Sequence, residues 1–169
     1  MSGKTIISKG EMISKIAAVI RARDEEGSDL VIGARTDARA IEGFDKTIER
    51  AMAYADAGAD YIYVECPQSL DEVKHLVKMI KIPLAFNLIP GGKTPDFSIS
   101  ELEAAGVKYL SIPMVCLYPA AKAMLNALQA LKNDELSKVG ELGINWSEFN
   151  ELIGVRRWRQ LEKEFGPGN

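Results

Sequence analysis

Short apolar runs alternate with stretches of helical periodicity along this chain, and three of the runs end on a polar side chain. Leu30-Val31-Ile32-Gly33-Ala34 leads into Arg35-Thr36-Asp37, Tyr61-Ile62-Tyr63-Val64 ends at Glu65, and Pro83-Leu84-Ala85-Phe86 ends at Asn87. A fourth run, Val107 to Ile112, ends at Pro113. Such runs, rich in β-branched and aromatic residues and separated by helical segments, read as parallel strands of βαβ units. Sites in these folds are built at the carboxyl ends of the strands. A cation, a carboxylate and an amide at successive strand ends therefore read as one site assembled strand by strand.

The segments between the runs carry helix punctuation. Ser8 with Glu11, Ser69 with Glu72, and Ser98 with Glu101 match the capping box, and Asp45 reads as a further N-cap. Ile48, Ala51, Met52 and Ala55 fall on one helical face. Gly27, Gly58 and Gly106 stand where helices stop, just before strands. The pattern predicts helix 9–25, strand 29–35, helix 45–57, strand 60–65, helix 69–80, strand 83–87, helix 98–105 and strand 107–112, then helices 116–132 and 146–164.

Consecutive right-handed crossovers place every helix on one face of the sheet and leave the other bare. That bare face is expected to be a large apolar patch, covered by further strands, another chain or a reversal of winding. No Gly-x-Gly-x-x-Gly turn is present to support a dinucleotide-binding reversal. The fold class is therefore α/β: a parallel (β/α) half-barrel of TIM type with C-terminal helices. At 169 residues the chain is shorter than the roughly 250 of a complete barrel. It reads as a single partial barrel domain over 1–169, with four βα units over 1–132 and a helical extension over 133–169.

Composition narrows the class without naming a function. A net charge of -3 argues against a nucleic-acid partner or an anionic membrane surface. No run approaches the roughly 18 apolar residues of a membrane span, and Met1-Ser2-Gly3-Lys4 lacks a signal peptide's apolar core. Cys66 and Cys116 suit two reduced thiols rather than a disulfide scaffold or zinc site. The expected setting is cytoplasmic.

Gly33-Ala34-Arg35-Thr36-Asp37-Ala38, Gly43-Phe44-Asp45 and Ala57-Gly58-Ala59-Asp60 resemble the isocitrate lyase/phosphoenolpyruvate mutase superfamily. Val64-Glu65, Asn87, Gly91-Gly92-Lys93-Thr94-Pro95 and the tail Phe149-Asn150-Glu151-Leu152 with Trp158-Arg159 follow in register. The resemblance runs from about Gly3 to about Phe165. It implies strands five to eight of the family barrel, and a chain that begins just after the family's Lys-Lys/Arg-Cys-Gly-His loop. It also implies Mg2+, with ligands expected outside this chain along with the cysteine acid, so that no metal ligand is expected here. The implied activity is carbon–carbon cleavage of a small 2-hydroxy or 2-oxo dicarboxylate, such as 2-methylisocitrate or 2,3-dimethylmalate. A phosphorus–carbon mutase or an oxaloacetate-cleaving enzyme is the alternative within the family, and a non-catalytic half-barrel module the alternative outside it. The expected partners are the dicarboxylate and either a second copy of the chain or the missing N-terminal half.

Arg35 follows a buried run and must meet an anion. A substrate carboxylate or phosphonate suits its planar fork, and an ion pair with Asp37 is the structural alternative. Glu65 can be tuned as an acid or base and is the candidate catalytic residue. The alternative for it is an ion pair at the barrel rim. Asn87 is a candidate carboxylate ligand or a turn former, and Pro113 is expected to shape the pocket floor. Pro90 stands where many relatives carry glutamate. Gly91-Gly92-Lys93 reads as a flexible loop with an outward lysine rather than a phosphate cradle. His75, the single histidine, falls on a solvated helical face, which disfavours a Ser-His-Asp or Cys-His mechanism. Trp146, Phe149, Trp158 and Leu161 recur at near-helical spacing, as core or as an oligomer contact.

Overall fold

In the computed structural model, which describes residues 3–166, the chain forms two compact units that divide between Val115 and Cys116. The first is a four-stranded parallel sheet in the order β1 (Gly33–Thr36), β2 (Tyr61–Val64), β3 (Leu84–Asn87), β4 (Tyr109–Ser111). Between the strands run α2 (Phe44–Asp56), α3 (Leu70–Met79) and α4 (Ile99–Ala104), with α1 (Lys9–Glu25) before β1. Strand order equals chain order and every pair is parallel, the succession of βα units that the alternating pattern predicts.

Period-two alternation sorts each strand into two faces. Ala34 and Thr36 of β1, Ile62 and Val64 of β2, and Leu84 and Phe86 of β3 are buried beneath the helices. They pack with Tyr54 of α2, Val73 and Leu76 of α3, Leu102 of α4 and Ile16 of α1. The opposite face carries Gly33, Arg35, Tyr61, Tyr63, Ala85 and Tyr109. Its larger side chains are aromatic apart from Arg35, which stands near the polar strand ends. The Tyr61 and Tyr109 rings approach to 6.1 Å across β3, where Ala85 is fully buried. A Cβ at Gly33 would stand 2.1 Å from Cζ of Tyr61, so a larger residue there would displace the Tyr61 ring.

Local signals and observed elements diverge in a few places, each for a physical reason. β1 starts at Gly33 rather than 29, because β2 begins at Tyr61 and the preceding residues have no strand to pair with. Leu30 and Val31 are accordingly 69% and 70% exposed. The N-cap of α2 is Gly43, not Asp45, and Asp45 sits in the first turn, where its charge complements the helix dipole. The reciprocal capping box forms at Ser98 and Glu101. Ser8 and Ser69 each accept from the expected backbone amide, but Glu11 pairs with Lys15 and Glu72 turns to Arg39 and the Gln68 amide. Helices stop before Gly27, Gly58 and Gly106, all at positive φ. At Gly58, φ +99° and an Ile20 methyl 2.8 Å from a would-be Cβ both favour glycine.

The second unit contains α5 (Leu117–Lys132), α6 (Leu136–Glu141), α7 (Trp146–Leu152) and α8 (Val155–Phe165). Here α5 packs with α6, and α7 with α8. The predicted helix 146–164 is two helices, broken at left-handed Gly154 (φ 70°). Trp146, Phe149 and Trp158 are exposed rather than core.

Candidate active site

The strand register brings the polar ends level. Asn87 pairs with Ser111, Tyr63 with Ala85, and Thr36 with Val64. Glu65 and Asp37, one residue beyond the last pair, therefore stand beside Asn87 at one end of the sheet. Arg35 sits on the uncovered face because its neighbours Ala34 and Thr36 take the helix face.

Four charged groups converge there. Arg35 Nε donates to Asp37 Oδ1 at 2.7 Å, and its Nη2 lies 3.1 Å from Glu65 Oε2. Lys4 Nζ donates to Asp37 Oδ2 at 2.5 Å and to Glu65 Oε1 at 3.4 Å. The Tyr63 hydroxyl donates to Glu65 Oε2 at 2.7 Å, while the Arg35 guanidinium lies over the Tyr63 ring, 4.9 Å from its centre. The structural alternative for Arg35, a pair with Asp37, thus forms, and Glu65 joins it. Half of the Arg35 side chain nevertheless remains exposed (50%).

The electrostatics follow from these contacts. The bond to Asp37 raises both Lys4 and Arg35 above their ordinary values. Burial alone would push the Asp37 carboxyl up, but the bonds from Arg35 and Lys4 outweigh it, and the group is held below the ordinary carboxylate value. Burial, and then the bond to Glu65, push the Tyr63 phenol well up. Burial also raises the Cys66 thiol, with the Glu65 charge adding to it.

Lys4 reaches the strand ends because the segment before α1 is fixed. Buried Arg50 of α2 donates to the Ile7 carbonyl at 3.0 Å and pairs with Glu42 at 2.7 and 2.9 Å. After Glu65 the chain turns sharply, with Cys66 in the left-handed region (φ 56°), a backbone conformation unusual outside glycine. The Cys66 carbonyl accepts from Gln68 Nε2 at 2.8 Å.

A cleft of about 380 Å³ opens at this end, lined by Lys4, Glu65, Cys66, Asn87, Lys93 and Thr94 among others. Arg35 borders a neighbouring cleft of about 270 Å³ with Asp37, Thr5 and Arg50. Pro113 lies in the exposed turn after β4 and lines neither cleft. Glu65 and Asn87 thus share the cleft, Arg35 reaches it through Glu65, and Pro113 stays apart. Exposed His75 meets the Phe44 ring edge-on at 5.8 Å and lines neither cleft.

Sequence reasoning missed Lys4 and Tyr63. Tyr63 lies two residues before Glu65 on one strand, so period-two alternation could have found it. Lys4 sits in an irregular segment with no periodic signal.

Comparison with known proteins gives this geometry a family. The phosphoenolpyruvate phosphomutase family profile matches residues 1–132. The chain belongs to this family. It is 39% identical to 2,3-dimethylmalate lyase of Eubacterium barkeri, over 99% of this chain and 58% of the relative. It is 35% identical to 2-methylisocitrate lyase of Aeropyrum pernix, over 97% of this chain and 52% of that enzyme. The fold matches oxaloacetate acetylhydrolase in complex with 3,3-difluorooxalacetate with a TM-score of 0.84 and 28% identity, covering 98% of this chain and 56% of that one. This member of the phosphoenolpyruvate mutase/isocitrate lyase superfamily therefore spans a little over half the length of these relatives.

Proposed function

We propose that this chain supplies strands five to eight of a family barrel and, with them, the substrate-holding part of a carbon–carbon lyase acting on small 2-hydroxy or 2-oxo dicarboxylates. The observation that carries the reading is the convergence of Arg35, Lys4, Glu65 and Asn87 at one sheet end, in a chain whose relatives include 2,3-dimethylmalate and 2-methylisocitrate lyases. Arg35 and Asn87 hold carboxylates through a planar fork and an amide. Glu65 handles a proton at Oε1, whose contact with Lys4 at 3.4 Å is longer than those of Oε2 with Tyr63 at 2.7 Å and Arg35 at 3.1 Å. Removing the substrate hydroxyl proton lets the carbon–carbon bond break, its electron pair passing to the departing enolate.

The family resemblance also implies magnesium. The described residues do not fit it: they contain no group of three or more His, Cys, Asp or Glu able to hold a metal. Asp37 and Glu65 are moreover engaged by Lys4 and Arg35. We assign the magnesium ligands to residues outside this chain. The complementary strands come from an N-terminal half or from a second copy of the chain.

An oxaloacetate-cleaving activity is the second reading, favoured by the fold match to oxaloacetate acetylhydrolase. The test joins this chain to the N-terminal barrel segment of the 2,3-dimethylmalate lyase and assays 2,3-dimethylmalate, 2-methylisocitrate and oxaloacetate. Turnover of the first two supports the main reading, and turnover of oxaloacetate alone supports the second. Arg35→Ala in the active fusion should chiefly raise KM, while Glu65→Gln should lower kcat about 100-fold. An unchanged kcat in Glu65→Gln would remove Glu65 from proton handling.

A further inference from the structure

The cations around the cleft are not equivalent. Lys4 and Arg35 both stand against Asp37 and Glu65, so two positive charges already meet two negative ones inside the protein. Lys93 lines the same cleft as Glu65 and Asn87, yet its ammonium pairs with no carboxylate among the described residues. The Asn87 side-chain amide likewise has no hydrogen-bond partner among them.

The loop that carries Lys93 is fastened by groups other than that ammonium. Gly92 N–H donates to the Ile89 carbonyl at 2.8 Å, and Gln68 Nε2 donates to the Lys93 carbonyl at 3.5 Å. Phe97 N–H donates to the Pro95 carbonyl at 2.9 Å. The loop is thereby tied to the end of β2 while the lysine charge stays unmatched.

A ligand with two negative charges entering this cleft meets one cation pair that is already neutralised. It needs a further cation, since an unmatched charge in a half-enclosed site is unfavourable. We propose that Lys93 is the specificity-determining residue of the cleft: together with Asn87 it takes the second carboxylate of a dicarboxylate, selecting it over the corresponding monocarboxylate. This rests on the dicarboxylate reading above. The ammonium acts as a point charge on a flexible stem and can follow dicarboxylates of different length, while the Asn87 amide supplies direction. The loop read as carrying an outward lysine thus takes on a binding role.

Cys66 lines the cleft, which allows a test that needs no turnover. In the 169-residue chain carrying Cys116→Ser, Cys66 is the sole thiol, and its alkylation by iodoacetamide reports occupancy. Malate and lactate, which differ by one carboxylate, are the probes. Malate is expected to protect Cys66 at lower concentration than lactate. Lys93→Met should raise the malate concentration for half-protection about fivefold and leave lactate unchanged, and Lys93→Arg should restore most of the difference. Equal malate protection in Lys93→Met overturns the role of Lys93 and leaves the dicarboxylate reading standing. An equal loss for malate and lactate also overturns it, showing a general attraction without selectivity. No preference for malate in the Lys93 chain overturns both.

Discussion

Glu65 accepts from Tyr63 and Lys4 and pairs with Arg35, and its charge in turn acts on the neighbouring thiol of Cys66. Burial is the larger reason the thiol titrates high, and the Glu65 charge is the second. Glu65→Gln removes the charge at nearly constant shape. In a Cys116→Ser background it should shift the pH dependence of Cys66 alkylation to lower pH and speed the reaction at neutral pH. An unshifted profile would show that burial acts alone. Asp37 gives a second test. Its carboxyl is held below the ordinary value of 3.8, so the folded chain takes up that proton less readily than the unfolded one. Its contribution to stability is fully present above the unfolded value and is lost as pH falls through the folded one. The urea midpoint should therefore drop on acidification below about pH 4, and more shallowly in Asp37→Asn. Equal slopes in the two proteins would count against the pairing of Asp37 with Arg35 and Lys4.

At the scale of elements, the capping pattern sets where α4 begins. This helix is six residues long, and a helix that short has little stability of its own. Ser98 Oγ accepts from the Glu101 amide at 3.1 Å, and the Glu101 carboxylate accepts from the Ser98 amide at 2.8 Å. Ser98→Ala should cost about 1 kcal/mol in chemical denaturation. The buried Leu102 of α4, which packs in the core, should carry that loss to the whole first unit. The same substitution at Ser8 should cost less, because Glu11 pairs with Lys15 there and does not return the bond. Equal losses would mean the reciprocal bond adds nothing.

At the scale of the molecule, the sheet has two edge strands, since among the described residues β1 pairs only with β2 and β4 only with β3. Its uncovered face carries Arg35, Tyr63 and the half-exposed Tyr109. Unpaired edges are templates for further strands. The purified chain is therefore expected to self-associate or to bind an N-terminal barrel segment, which sedimentation at several concentrations will show. Alone it should give no lyase turnover above background and no tight Mg2+ binding by calorimetry. Among the described residues the carboxylates form no hard-oxygen cage. Robust turnover by the unaided chain would mean that the catalytic groups lie among residues not considered for the site.

What the amino-acid sequence determined by itself is local in origin. The helix starts at Ser8, Ser69 and Ser98 and the stops before Gly27, Gly58 and Gly106 depend on residues within a turn of each other, as does the alternation that separates Arg35 from Ala34. Those signals also make Arg35, Glu65 and Asn87 legible as neighbours at one sheet end, because parallel strands of similar length end together. The tertiary structure alone decided how their charges are matched. Lys4 meets Asp37 and Glu65 across 33 and 61 residues of chain, and it is carried there by the Arg50 bond to Ile7, 43 residues away. Such contacts have no period to betray them, since they exist only once the segment before α1 has docked beside the strand ends. The division of the apolar faces follows the same rule. Local spacing marks Trp146 and Trp158 as one stripe, but the turn at Gly154 places them on two helices, both exposed.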